Sequence, residues 1–186
     1  MSLAHEVTVS THQSLNSFCV WGDIHKTDIE EKDPNYLLEE MFEKNQFHLA
    51  LHSWAEKNKH LPLLHVDIHG KSDQEVCQID IGIKSIEEHW GKEDPLIDHL
   101  TKYFKEFAQI FEGSDIEGCE FNMHGDFEGC WKKYKKWKPD RHSMTEQAIE
   151  LGIPSLQMEL PRKVRKELFS NPALLKKFSS GFAHLY

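Results

Sequence analysis

Short runs of apolar residues, either alternating with polar residues or unbroken, predict the strands of this chain. In chain order they are HEVTVST, which ends near His12, then PLLHVDIHG, VCQIDIGI, CEFNMHG and IPSLQMELP. The second and third have the length and branched apolar content of internal strands. Gly70 ends the second run, where we expect the backbone to turn sharply away.

Helix-like spacing of apolar residues fills the stretches between these strands. One or two amphipathic helices are expected over 35–59, with apolar positions at Leu38, Met41, Phe42, Leu49, Leu51 and Trp54. The clearest helix runs from 94 to 111, with one face of Leu96, Ile97, Leu100, Tyr103, Phe104, Phe107 and Ile110 or Phe111. SMTEQAIELG is predicted as a helix that Ser143 or Thr145 caps and Gly152 ends, and 163–186 as terminal helices.

Because strands and helices alternate, the fold class is α/β, in three layers, with a mostly parallel or mixed sheet flanked by helices. The chain has 186 residues and no repeat or linker that would divide it. A chain of this length buries about 70% of its unfolded surface on folding. We therefore expect a single domain over residues 1–186.

Composition narrows the kinds of partner. The formal net charge is −9 and the isoelectric point about 5.8, which disfavours binding to nucleic acid or to an anionic membrane. No apolar run approaches the roughly 18 residues that span a bilayer, and no signal-peptide core begins the chain. These features predict a cytoplasmic protein with a small-molecule ligand, and they leave the oligomeric state open.

Cysteine and histidine usage bears on the chemistry. The 4 cysteines form no CxxC pair and are too sparse for a disulfide scaffold, so we expect them to be reduced and buried. Histidine is unusually frequent, with 13 residues spread along the chain. A metal site is therefore a hypothesis worth testing against the sequence.

The strand LLHVDIHG carries His65, Asp67 and His69 at alternate positions, which places all three on one face. His69 stands at the carboxyl end of the strand, where α/β proteins bind their ligands. Asp67 beneath it is placed to accept the second ring proton of a metal-bound imidazole, with His65 as a further neighbour. The alternative is a polar pair of His65 and Asp67, with His69 as a loop residue.

The strand SLQMELP places Glu159 in apolar surroundings, with Gln157 on the same face. Burial would raise the pKa of this carboxyl toward the range of a general base. The chain's three arginines, Arg141, Arg162 and Arg165, all lie near Glu159 in the sequence and suit a substrate carboxylate. The alternative is a structural ion pair of Glu159 with Arg162 or Arg165.

The two motifs LLHVDIHGKSD and TEQAIELGIPSLQMELPRKVRKEL together resemble the N-formylglutamate amidohydrolase family, and KDPNYLLEEMFEKNQFHLAL is similar to its Asn-containing loop and helix. The resemblance covers roughly Asp33 to the end of the chain. It implies a fold similar to zinc carboxypeptidases and hydrolysis of amide bonds in small acidic substrates such as N-acyl amino acids. It also implies zinc as cofactor, with His69 as a metal ligand and Glu159 as the catalytic carboxylate.

The same resemblance implies Arg162 or Arg165 as contacts of the substrate carboxylate. From their own positions in the sequence, Arg141 and Gln157 are further candidates for substrate contact, and Asp67 and His65 for support of the metal ligand. The family's early pair of ligands has no clear match: the candidates are His12 at a strand end and His25 with Asp28, which has the His-x-x-acid spacing. The chain is also compatible with an N-terminal truncation that removes the first ligand strand.

A rival function class remains open. The stretch WKKYKKWKPDR, Trp131 to Arg141, interleaves basic and aromatic residues, as surfaces that stack nucleobases do. In the hydrolase interpretation, His124 and His142 are candidates for an extra hydrogen-bond donor to the oxyanion of the transition state. The alternative to an enzyme is a metal-free relative that serves as a binding or scaffold protein.

Overall fold

The structure, a computed structural model, describes residues 37–125 and 140–185. Its main sheet contains β2 (His65–Lys71), β3 (Gln78–Gly82), β4 (Glu120–His124) and β6 (Ser155–Pro161). A small second sheet pairs β1 (Leu37–Leu38) with β5 (Arg141–His142) in antiparallel orientation. The predicted strand HEVTVST and the basic stretch 131–139 lie outside the described residues.

The main sheet is mixed, with the strand order β2-β6-β3-β4. β2 is parallel to β6, and β3 is parallel to β4. β6 and β3 are antiparallel, so the two parallel pairs run in opposite directions. The predicted α/β class with a mixed sheet flanked by helices is confirmed.

Six α-helices occur in the described ranges: α1 (Gln46–Asn58), α2 (Lys84–Trp90), α3 (Pro95–Phe107), α4 (Met144–Glu150), α5 (Arg162–Ser170) and α6 (Pro172–Gly181). Short 3-10 turns cover Glu39–Lys44, Ala108–Phe111 and Phe182–His184. None of the described helices combines the length and apolar character needed to cross a membrane. The sequence pattern predicted all of the α-helices except α2.

Side-chain caps set where most of these helices begin. Asn45 accepts from two amide groups at the start of α1, and Asp94 and Asn171 cap α3 and α6, each followed by a proline. Ser143 forms a reciprocal capping box with Glu146 at the start of α4, which satisfies two backbone donors at once. Of the two predicted caps of this helix, Ser143 is the one that acts.

One face of the main sheet is apolar and forms the principal core. Leu156, Met158 and Leu160 of β6 lie on it, next to Ile79 and Ile81 of β3. Helices α3, α5 and α6 cover this face with fully buried side chains that include Phe104, Val164, Leu168 and Phe178. Because side chains alternate along a strand, the opposite face receives the intervening, mostly polar residues.

A second, smaller cluster joins α1 to α4 through Leu51, Ala55, Ala148 and Ile153. Helix α4 also contacts β2 and β6. A cavity of about 340 Å³ opens beside this cluster, lined by residues of α1, by Trp90 and by 151–154 before β6. It lies at the amino ends of β2 and β6, far along the strands from their carboxyl ends.

Two cysteines contradict the prediction of reduced thiols. Cys77 and Cys119 form a disulfide, with their Cα atoms 4.6 Å apart. Each immediately precedes a strand, and the first residues of those strands, Gln78 and Glu120, are register partners in the parallel pair β3–β4. The cytoplasmic location stays a prediction.

His48 gives the contact between α1 and α4 a dependence on pH. Its ring is 7% exposed and stacks on Phe42, and Nδ1 lies 3.1 Å from Oε1 of Gln147. Burial lowers the pKa of His48 from its ordinary value of 6.5, with a further lowering by His52 and opposing effects of Gln147 and Glu150. The folded protein therefore binds fewer protons than the unfolded chain just below that value.

We expect the free energy of unfolding to fall as the pH drops below 6.5 toward the folded pKa of His48. Stability from this site is fully present above 6.5, where the ring is neutral in both states. Replacing His48 by glutamine should reduce the loss measured by urea unfolding between neutral and mildly acidic pH. Replacing the exposed His60 in the same way is the control, and equal pH profiles for both variants would contradict the account.

Candidate functional site

The second face of the main sheet carries polar side chains across all four strands, and we call it the polar face. One row across the strands joins the register partners His69, Glu159, Asp80 and Asn122. The next row joins Asp67, Gln157, Gly82 and His124. Polar groups that line one face of a buried sheet need partners or a ligand, because burying them unpaired is costly.

Glu159 stands at the centre of this face, on β6 between His69 and Asp80. Burial raises its pKa, and the charge of His69 and a hydrogen bond from Gln157 act in the opposite direction. Nε2 of Gln157 donates to Oε1 of Glu159 at 2.9 Å. The carboxyl is therefore fixed in orientation and has the raised pKa that the sequence predicted for it.

His69 and Asp67 form a pair on β2, as their alternate positions indicate. Nε2 of His69 lies 2.9 Å from Oδ2 of Asp67, and the two side chains are 30% and 14% exposed. Among the described residues, this oxygen of Asp67 has no hydrogen-bond partner. Asp67 thus lies next to the imidazole of His69, on the strand adjacent to that of Glu159.

The hydrogen-bond partner of His65 is neither Asp67 nor His69, the two neighbours that the sequence suggested for it. Its Nδ1 lies 2.7 Å from Oγ of Ser155, the register partner on β6. Burial lowers the pKa of His65, while the nearby Asp67 acts to raise it. His65 is therefore a neutral, half-buried residue at the amino end of the polar face, and it contacts Ser155 rather than the ring of His69.

Gly70 does not end β2, contrary to prediction, because the strand continues to Lys71. A Cβ atom at Gly70 would lie 2.7 Å from Cζ of Arg165. Arg165 itself donates from Nε to the carbonyl of Leu160 and from Nη2 to the carbonyl of Lys71, both at 3.2 Å. Glycine here permits a close approach of the guanidinium that ties the carboxyl ends of β2 and β6 together.

The other residues predicted to contact substrate are spread over the fold. Arg162 is exposed at the first position of α5, and Arg141 lies in the small second sheet. Gln157 is on the polar face but only 1% exposed, and its Oε1 has no hydrogen-bond partner among the described residues. Gln157 is positioned to orient Glu159, and the substrate contacts of the arginines stay predictions.

A charged cluster around Asp80 was not predicted from the sequence. Asp80 accepts from Lys71, from Nε2 of His124 at 2.8 Å and from Gln78 at 2.6 Å. Burial acts to raise the pKa of Asp80, but these hydrogen bonds outweigh it and hold the pKa below its ordinary value. An ionised carboxylate thus stands beside Glu159, which has a raised pKa, an arrangement typical of sites that handle protons.

Of the predicted metal ligands, only His69 lies in the part of the chain that the structure describes. His12, His25 and Asp28 lie outside the described residues. Within 37–125 and 140–185, no three His, Cys, Asp or Glu side chains are close enough together to hold a metal ion. The described residues offer the imidazole of His69, which is a preferred zinc ligand, with the carboxylate of Asp67 beside it. They therefore fit part of a zinc site.

No protein-family model matches the chain, and searches of curated proteins and of solved structures return no significant match. The resemblance to N-formylglutamate amidohydrolases therefore stays a prediction that rests on the quoted motifs.

Proposed function

We propose that the protein is a zinc-dependent hydrolase of amide bonds in small substrates that carry a carboxylate, similar in activity to N-formylglutamate amidohydrolases. One observation carries the proposal: His69 and Glu159 are register partners at the carboxyl ends of two adjacent parallel strands. This edge is where ligands bind in α/β sheets. His69 would hold the zinc ion together with ligands from the first 36 residues.

Zinc bound at His69 would supply Lewis acidity, which polarises a substrate carbonyl and makes water a better nucleophile at neutral pH. Glu159 would take a proton from the attacking water and deliver it to the nitrogen of the leaving amine. One new C–O bond forms and the amide C–N bond breaks, so the products are a carboxylic acid and an amine.

The other residues of the polar face would position these groups. Gln157 fixes Oε1 of Glu159, so that the carboxylate keeps one orientation through both proton transfers. Asp67, whose Oδ2 lies 2.9 Å from Nε2 of His69, would accept the second ring proton of a zinc-bound His69, as carboxylates commonly do for metal-binding histidines. Positioning of this kind contributes to rate because reacting atoms must approach within narrow limits.

A hydrolysis screen tests the proposal. The full chain, loaded with zinc, is incubated with N-formyl and N-acetyl derivatives of glutamate, aspartate, glutamine and leucine, and the released amine is measured. We expect release from the acidic derivatives, which a chelator abolishes and zinc restores. Zinc-loaded protein that releases no amine from any derivative would overturn the hydrolase proposal and favour the binding or scaffold alternative.

A further inference from the structure

We propose that Lys71, held in place by Asp80, binds the carboxylate of the substrate next to Glu159. This inference rests on the proposed function, because it names the residue of the same site that selects acidic substrates. It differs from the sequence-based prediction, which gave this task to arginines.

Lys71 crosses the polar face of the sheet. It is the last residue of β2, yet its Nζ pairs with Asp80 on β3, and β6 lies between these two strands. The side chain must therefore pass over the carboxyl end of β6, beside its register partner Pro161. Because Asp80 is the register partner of Glu159, the ammonium group lies at the edge of the Glu159 site.

The ammonium group of Lys71 has more hydrogen-bond donors than its contact with Asp80 uses. Asp80 also accepts from His124 and Gln78, so its charge does not depend on the lysine alone. The ammonium has three N–H donors, and within the described part of the chain its other hydrogen bond is a long one of 3.4 Å to Gln74. Its side chain is only 14% exposed, and a charge this buried is worth more to a bound anion than a surface charge.

The carboxyl groups on the polar face oppose the binding of an acidic substrate. Asp67, Glu159 and Asp80 all present carboxyl groups to this face. A substrate carboxylate that approached them without a counter-charge would be repelled.

The nearby arginines are less well placed for this role. The guanidinium of Arg165 is bound to the carbonyls of Leu160 and Lys71 and lies against Gly70. Arg162 is exposed on α5. Lys71 is thus the better candidate for the group that recognises the substrate's carboxylate.

Calorimetric titration of the full chain with glutarate tests the inference, with glutaramide as the neutral analogue. A chelator is present throughout, so that glutarate cannot bind through a metal ion. We expect wild type to prefer glutarate, and Lys71→Met to bind glutarate about 10- to 100-fold more weakly, as expected for loss of a charged hydrogen bond. Lys102→Met, on exposed surface of α3, should bind like wild type.

Unchanged glutarate affinity in Lys71→Met would overturn the inference, as would a wild type that does not distinguish glutarate from glutaramide. An Arg162→Met variant that loses glutarate while Lys71→Met retains it would assign the role to the arginine. If Lys71→Met fails to fold, the double variant Lys71→Met/Asp80→Asn replaces it, because it leaves neither partner as an unpaired charge, and Asp80→Asn alone is its control. We expect the double variant to bind glutarate more weakly than Asp80→Asn, and equal binding by both would contradict the inference.

The two proposals fail in different ways. If glutarate binds selectively through Lys71 but no zinc-dependent hydrolysis occurs, the proposed hydrolase activity is wrong and the proposed carboxylate site at Lys71 is retained. Hydrolysis of N-acetylglutamate by Lys71→Met at the wild-type kcat/KM would leave the hydrolase standing and overturn the role of Lys71.

Discussion

Glu159→Gln is expected to lower kcat for amide hydrolysis by about 10²- to 10⁴-fold, the range that general acid–base catalysis contributes. Glutamine has nearly the same shape and can still accept the hydrogen bond from Gln157, which donates to Oε1 of the native carboxylate. It cannot accept a proton from water at neutral pH. The fold and the zinc content should therefore remain, and the loss should appear in kcat.

Glu120→Gln is the matched control, because Glu120 is an exposed carboxylate on the same face of the sheet, on β4. Its activity should equal that of wild type. A Glu159→Gln variant that binds zinc and keeps more than half of the wild-type kcat would show that another group acts as the base. The steady-state rate of amine release, with zinc measured on the same samples, decides between these outcomes.

Phe104→Ala should reduce the free energy of unfolding by about 3–5 kcal/mol, the usual cost of removing a fully buried aromatic ring. Phe104 is 0% exposed on α3, and its ring centroid lies 5.1 Å from that of Phe121 on β4. Its loss leaves a cavity where α3 meets the apolar face of the sheet. Urea unfolding monitored by circular dichroism measures the change.

Phe169→Ala is the control, because this ring on α5 is 53% exposed. Surface substitutions usually change stability by less than about 0.5 kcal/mol. Similar losses in the two variants would show that α3 does not cover the sheet as described. Because the polar face carries the candidate site and the apolar face the core, Phe104→Ala should leave kcat close to wild type under conditions where the variant is folded.

The sequence predicted individual elements well because each carries its own local signal. The apolar runs that became β2, β3, β4 and β6 have the alternation or continuity of strands, and α3 has an apolar face that is unambiguous. The missed helix α2 (Lys84–Trp90) is short and has only Ile86 as a buried large apolar residue. With a single such position, no helical period can be read.

The order and pairing of the strands could not be predicted from the local sequence pattern. Whether β6 lies beside β2, beside β3 or between them depends on tertiary contacts, and this order decides the neighbours of Glu159. Asp80 lies in a predicted strand, but its position next to Glu159 follows only from the antiparallel pairing of β3 and β6. The disulfide Cys77–Cys119 was missed for the same reason, since it requires the pairing of β3 with β4.

For the arginines, nearness to Glu159 along the chain does not by itself establish nearness in space. Arg165 is six residues from Glu159 in the sequence, but it turns to the carbonyls of the strand ends. Lys71 is far from Glu159 in the sequence, yet the parallel pairing of β2 and β6 brings it to the same edge. The predicted pair His69 and Glu159 came together because both stand at the carboxyl ends of strands.

The most direct test of a zinc site beside Glu159 is elemental analysis of the purified chain after zinc is offered at neutral pH and excess metal is removed. Wild type should hold about one zinc ion per chain, the stoichiometry of a single catalytic site. His69→Ala should lose it, and His60→Ala, which removes an exposed histidine after α1, should keep it. Wild type without zinc, or a His69→Ala variant that binds as much zinc as wild type, would contradict the account.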